Sequence, residues 1–223
     1  CPVGAITEKE LRFKRRVWKL KKNHSICTGC STGCNVTIEH DRNEIFRLKP
    51  HENQSVNKWW MCDEGRLTYR MMNERKTRIH QPLGRVDGKL EGISWEDAYG
   101  AIAERVGDMS PLPQEVLALT DTHASNEELF LLKKLLKDIF SADNIFCPLP
   151  TWEQYESDFF INTLITSDKT PNRAGALALK IKGDTKTAKL KKAIEGDLKV
   201  VFVLGNPFEA ELEVQEKLKR AQL

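Results

Sequence analysis

Four cysteines have the residue type and spacing to hold a metal centre: Cys27, Cys30, Cys34 and Cys62. Three lie in one tight stretch, Cys27-Thr-Gly-Cys30-Ser-Thr-Gly-Cys34. The fourth returns after a gap of 27 residues in Trp59-Trp60-Met61-Cys62-Asp63-Glu64-Gly65-Arg66. Thiolates are soft ligands that suit zinc or an iron–sulfur core. Structural zinc sites usually draw on two separated ligand pairs. A cubane can take three corners from one loop and the fourth from elsewhere, so this pattern predicts a 4Fe–4S cluster, with zinc as the alternative. Gly29 and Gly33 let the backbone bend close to an inorganic core. They also leave N–H groups free to face its sulfides, which is one lever on reduction potential.

Two other cysteines stand apart. Cys1 is followed by Pro2, and a Cys-Pro pair commonly closes an iron–sulfur binding run. Cys1 is therefore a candidate fourth ligand to a second cluster whose other three ligands lie upstream. Cys147 is isolated and reads as a buried apolar residue. His24, His40 and His51 lack ligand-type spacing and read as surface or packing residues. No Ser/His/Asp or Cys/His set has a context suited to general acid–base or nucleophilic catalysis. No glycine-rich phosphate loop is present. These observations point to electron transfer rather than turnover of a substrate by this chain, with the redox chemistry left to the cofactor.

The surrounding chain must position those thiols. It has 223 residues and a formal charge of +3, unevenly spread: residues 1–90 carry 19 Lys+Arg against 10 Asp+Glu, and residues 91–223 carry 16 against 22. That asymmetry predicts two different modules. No run of 18 apolar residues exists to span a membrane, and no signal peptide is visible. Cysteines clustered at a metal-type motif favour a reducing compartment. The chain opens on Cys1 rather than Met and stops within a helical pattern, so a fragment of a longer protein is expected. Leu11 to Lys22 carries seven basic residues among Leu11, Phe13, Val17 and Trp18, which predicts an exposed extended segment or edge strand. A solvated basic face explains that run better than a nucleic-acid patch.

Asn35–His40 and Glu44–Lys49, joined by Asp41-Arg42-Asn43, predict a hairpin that sets the Cys27 loop at one end of a small sheet. Trp59 and Trp60 are suited to excluding water from the site or to ordinary core packing. Turn signals at Gln81-Pro82-Leu83-Gly84 and Asp87-Gly88 mark a module boundary. Ser94 then caps a helix, with Ala98, Ile102, Ala103 and Val106 as its expected buried stripe and Pro111-Leu112-Pro113 beyond it. The rest alternates strand and helix: a strand at 115–120, a helix at 126–140, a strand at 144–147, a basic helix at 185–195, a strand at 198–204 and a helix at 209–220. That rhythm predicts an α/β fold with a parallel sheet covered by helices. Ala124-Ser125-Asn126-Glu127-Glu128 falls at a strand-to-helix turn where α/β proteins often bind ligands, and reads first as a helix cap. Gly175 is expected in a loop.

Taken together, these residues resemble a known family. Cys1-Pro-Val-Gly-Ala-Ile-Thr, Phe13 with Trp18, the Cys27 motif and Cys62-x-x-Gly65-Arg66 look like the large iron–sulfur subunit of bacterial respiratory complex I (NADH–quinone oxidoreductase). Ile93-Ser94-Trp95-Glu96-Asp97-Ala98, Asn126-Glu127-Glu128 and Asp168-Lys169-Thr170-Pro171-Asn172 resemble its molybdopterin-oxidoreductase domain. The resemblance implies three parts: the end of a ferredoxin-like domain with its linker over 1–22, a 4Fe–4S module over 23–80, and part of a molybdopterin-oxidoreductase-like α/β domain over 81–223. It implies a cluster on Cys27, Cys30, Cys34 and Cys62, and Cys1 as a ligand to a second 4Fe–4S cluster completed only in the parent protein. It implies no molybdopterin, other peripheral-arm subunits as partners, no nucleic acid, no membrane insertion, and a place on the cytoplasmic face of the bacterial inner membrane. The alternative is the front part of a molybdenum- or tungsten-dependent formate dehydrogenase. Catalytic relatives usually carry a lysine two residues after the fourth cysteine, where this chain has Glu64, and an acid there opposes electron passage to an anionic cofactor.

Overall fold

A computed structural model describes residues 3–76, 78–149, 166, 168–184 and 196–206. The chain divides into two compact units: residues 1–77 with 152–171, and residues 78–151 with 172–223. Cys1 and the expected helices at 185–195 and 209–220 lie outside the described residues.

The first unit is built on an antiparallel sheet of β1 (Lys21–Ile26), β2 (Asn35–Asp41) and β3 (Glu44–Pro50), in that order. The β2–β3 hairpin turns through Arg42 and Asn43, whose φ angles of 48° and 63° give the paired left-handed residues of a tight two-residue turn. β1 pairs with β2 from Lys21 opposite His40 to Ile26 opposite Asn35. The ordered edge strand thus begins later than the basic run predicts. Ahead of it the chain turns through a short 3-10 segment, Val17–Lys19, and Phe13 and Trp18 remain exposed. Two short helices follow, α1 (Asp63–Leu67) and α2 (Tyr69–Asn73). Asn73 ties α2 to β3: its Nδ2 donates to the Ile45 carbonyl at 2.6 Å, and its Oδ1 accepts from the Ile45 N–H at 3.0 Å. Glu39 on β2 is buried and paired with Arg47 and Lys49.

The second unit opens with a hairpin of β4 (Leu83–Val86) and β5 (Lys89–Gly92). Its turn at Asp87-Gly88 was legible, but its strands were not: most of their side chains are exposed, so the apolar alternation that marks a half-buried strand is missing. α3 (Trp95–Met109) starts as expected, with Ser94 Oγ accepting from the Asp97 N–H at 3.0 Å. Its expected stripe is not buried. Ile102 and Ala103 are exposed, Ala98 and Val106 are half-buried, and contact with the core comes late in the helix, through Val106 and Met109. The small side chains in that stripe gave the helix little apolar area with which to draw itself down onto the sheet.

The parallel sheet has the order β8-β7-β6-β9, with β6 (Val116–Thr120), β7 (Ile145–Leu149), β8 (Lys182–Asp184) and β9 (Val200–Leu204). Every residue of β6 is buried, as expected of a central strand covered on both faces. α4 (Asn126–Phe140) buries Leu129, Leu136 and Phe140. Its capping box is complete: the Glu128 N–H donates to Ser125 Oγ at 3.2 Å and the Ser125 N–H to Glu128 Oε2 at 2.8 Å. The cap reading of Ala124–Glu128 therefore holds. Gly175, expected in a loop, lies inside α5 (Arg173–Ala178). A Cβ there would run into the side-chain amides of Asn126 and Asn172, which would have to move aside. Cys147 is fully buried among apolar residues.

Candidate metal centre

The loop bearing three of the thiols is the connection between β1 and β2. The Cys27 N–H donates to the Cys34 carbonyl at 2.8 Å, extending the Ile26–Asn35 pair by one step and closing Cys30 into the loop. Cys27, Cys30 and Cys34 are all buried. Asn57, itself buried, brings in the stretch leading to the fourth cysteine. Its Oδ1 accepts from the Asn35 N–H at 3.0 Å, next to Cys34, while its Nδ2 donates to the carbonyls of His51 at 3.2 Å and Trp60 at 3.1 Å. One amide thus fastens the approach to Cys62 onto the end of the three-cysteine loop. Nothing in the spacing of the cysteines announced this role.

Cys62 is the N-cap of α1, and its Sγ accepts from the Gly65 N–H at 3.3 Å. The Gly29 N–H donates to Cys27 Sγ at 3.4 Å. The Gly29 N–H favours the Cys27 thiolate over its thiol. A Cβ on Gly65 would stand 2.9 Å from Cys27 Sγ and 3.5 Å from Cys62 Sγ. Gly65 is therefore the small floor between two sulfurs that are far apart in the chain. Cys27 and Cys34 also join Val36, Leu48, Met61 and Tyr69 in one buried cluster.

The thiols share one electrostatic environment. Burial first, and then the neighbouring Cys27, Cys30 and Cys62, push the Cys34 thiol up to about 11. Burial likewise raises Cys27, opposed by the Gly29 N–H, raised further by Cys30 and Cys62, and lowered by Lys169. Such crowding disfavours four bare thiolates and suits a cationic core that accepts them all. Among the described residues, no three His, Cys, Asp or Glu side chains converge closely enough to hold a single metal ion. The donor set and the glycine floor fit a 4Fe–4S group.

The site has a second wall from a distant part of the chain. The Ser31 N–H, inside the cysteine loop, donates to the Asp168 carbonyl at 2.9 Å. Lys169 Nζ forms an ion pair with Glu64, two residues past Cys62. Burial opposes the lysine charge, but Glu64, then Cys30 and Cys62, more than offset this and hold Lys169 above the ordinary lysine range. The acid at position 64 is thus paired with a cation beside the site. The expected roles of Trp59 and Trp60 fail, because their side chains are 58% and 61% exposed and neither pack the core nor seal the thiols. His24 and His51 stack at 4.0 Å between ring centroids, a packing contact.

In the second unit the crevice between β6 and β9 is where a doubly wound sheet offers an anion its seat. The Asp121 carboxylate lies there. It accepts from the His123 N–H at 2.8 Å and the Asn206 N–H at 2.6 Å, and a Cβ on Gly205 would stand 2.4 Å from it. Among the described residues, the His123 and Asn206 N–H groups at that crevice are directed at the protein's own carboxylate.

The fold and site define an iron–sulfur module joined to a parallel α/β unit. Comparison with known proteins agrees. The Molybdopterin oxidoreductase Fe4S4 domain matches residues 20–74, and the Molybdopterin oxidoreductase domain matches residues 78–168. An NADH-quinone oxidoreductase subunit from Rickettsia bellii is 35% identical over 139 residues, covering 62% of this chain and 20% of that protein. The mitochondrial NADH dehydrogenase [ubiquinone] iron-sulfur protein 1 of Solanum tuberosum is 34% identical over 148 residues, covering 66% and 19%. NADH-quinone oxidoreductase subunit 3 of Thermus thermophilus is 27% identical over 231 residues, covering 99% and 27%. The chain belongs to the molybdopterin oxidoreductase superfamily, on the branch that includes the large iron–sulfur subunit of NADH-quinone oxidoreductases. It spans about a fifth to a quarter of the length of these relatives.

Proposed function

We propose that Cys27, Cys30, Cys34 and Cys62 bind one 4Fe–4S cluster, and that the chain is part of the electron-transferring iron–sulfur subunit of a bacterial NADH–quinone oxidoreductase. The observation that carries this reading is the gathering of the four thiols. Three come from the β1–β2 connection and one from the N-cap of α1, with backbone N–H groups directed at Cys27 and Cys62. When bound, the cluster takes up and releases one electron at a time. This chain supplies placement, exclusion of water and electrostatic tuning.

The wider reading follows the relatives. The chain works with other subunits of the complex in its peripheral arm, on the cytoplasmic face of the inner membrane. Among the described residues no helix is long and apolar enough to cross a membrane. Residues 1–22 end a ferredoxin-like domain, and Cys1 is the fourth ligand of a second 4Fe–4S cluster in the parent protein. Residues 23–80 form the cluster module, and residues 81–223 are part of an α/β scaffold that holds no molybdopterin and does no catalysis of its own. Asp121, occupying the β6–β9 crevice, supports that last point.

Anaerobic reconstitution of the chain tests the cluster. About four irons per chain, with a reduced-state paramagnetic signal, are expected. Stoichiometric zinc without iron uptake would falsify the assignment. Molybdenum or tungsten with an extractable pterin in the parent protein would replace it with the formate dehydrogenase reading.

A further inference from the structure

We propose that Lys169 is the cation that sets the reduction potential of the centre at Cys27, Cys30, Cys34 and Cys62, and that Glu64 and the Ser31–Asp168 hydrogen bond hold it there. The inference rests on the cluster reading above and goes beyond it by naming a residue outside the four-cysteine motif.

Three contacts carry the argument. The Asp168 carbonyl receives the Ser31 N–H at 2.9 Å, from within the loop between Cys30 and Cys34. The next residue, Lys169, reaches Glu64, two positions after Cys62. The Asp168 side chain fixes the local backbone, with its Oδ1 accepting from the Thr170 N–H at 3.0 Å. The segment therefore grips both parts of the ligand set, the loop and the distant fourth cysteine. Lys169 is 21% exposed at its side chain, against 61% for Glu64. The lysine charge is the less screened of the two, and charges in a partly buried setting act more strongly on their neighbours. The same lysine interacts with Cys27, Cys30 and Cys62.

Reduction adds one electron and no atom, so it places one more negative charge within the thiolate cage. A fixed cation nearby favours that change and a fixed anion opposes it, because local charge is one of the determinants of cluster potential. The two members of the ion pair therefore act in opposite directions. Lys169→Met lowers the potential and Glu64→Gln raises it. The lysine substitution has the larger effect because its charge is better buried. Lys169→Arg keeps the charge and restores the potential. A purely structural tether predicts something else: both neutral substitutions loosen the site in the same sense, and the potential of whatever centre survives does not move.

The test is a dithionite titration of the anaerobically reconstituted full chain, followed by electron paramagnetic resonance. Lys169→Met is expected to change the reduced-to-oxidised ratio at fixed poise by about tenfold, or about 59 mV for a one-electron couple. Glu64→Gln is expected to shift the ratio by less and in the opposite direction. If Lys169→Met fails to retain iron, Glu64→Gln and the double variant Glu64→Gln/Lys169→Met carry the measurement. An intact cluster whose potential stays unmoved in Glu64→Gln, or moves in the same direction in both single variants, overturns the role of Lys169 and leaves the cluster assignment standing. A wild-type chain that takes up no iron overturns both.

Discussion

The two units bury different things. In the first, two of the six residues in the main buried cluster, Cys27 and Cys34, are candidate metal ligands, packed with Val36, Leu48, Met61 and Tyr69. In the second, the core is Ala118, Ala124, Leu129, Leu136, Ile145, Cys147, Ala176 and Ile181 around a strand with no exposed residue. The first unit has sequestered groups that prefer water when ionised. Packing alone does not satisfy them, so its stability is coupled to whatever binds the thiols. The second draws its stability from apolar burial on both faces of β6. On the proposed reading, one unit of the chain is completed by metal and the other by packing.

The sharpest way to break this comparison is to remove one ligand. Cys34→Ala should abolish retained iron, since a cubane with three thiolates has an open corner. Amide exchange should then accelerate across β1–β3 while β6 stays protected. Equal loss of protection in both units would show that the second also depends on the metal.

The reciprocal change acts on packing. Leu117, fully buried in β6, should cost about 3 kcal/mol when replaced by Ala, through lost transfer energy and the residual cavity. Urea unfolding followed by probes in each unit should show the α/β transition moving to lower denaturant while iron content per chain stays constant. A loss of iron in step with that transition would join the two units into one cooperative block.

The smallest effect contrasts two raised thiols. Burial pushes Cys34 up to about 11 at the proposed cluster site, and burial with the nearby Asp121 pushes Cys147 up to about 12 in the apolar core. For Cys147 the unfolded thiol ionises first. The stability it contributes is complete below its ordinary value of 9.0 and is lost as pH rises towards about 12. Chemical denaturation across that window should show declining stability of the α/β unit, with a shallower decline in Cys147→Ala. Identical slopes in the two proteins would assign the alkaline loss to other groups.

Much of this architecture was legible in the sequence. The hairpin at β2–β3 shows itself because alternation and a polar turn are local signals, and Arg42 and Asn43 take the left-handed geometry such a turn needs. α4 was readable to its ends because the cap, the apolar period and the length all agree. The burial of Cys147 follows from its apolar surroundings. Other features were hidden for identifiable reasons. β4 and β5 lack a buried face to impose a period. α5 is six residues long and carries a glycine that reads as a turn, and what holds it is the burial of Ala176 in the core. The stripe on α3 had the right spacing, yet spacing does not guarantee a partner surface.

By itself the sequence determined which atoms are available to bind metal and roughly how they are grouped, because ligand type and loop spacing are properties of a short stretch of chain. It also determined the β-α-β rhythm, since periodicity is local. Only the tertiary structure decided what surrounds the thiols. Asn57 ties the approach to Cys62 to the residue after Cys34. Lys169 answers Glu64 across 105 positions of sequence. Asp168 meets the backbone of Ser31. A charge acts through distance in space, and no pattern along the chain records that distance until the chain has folded.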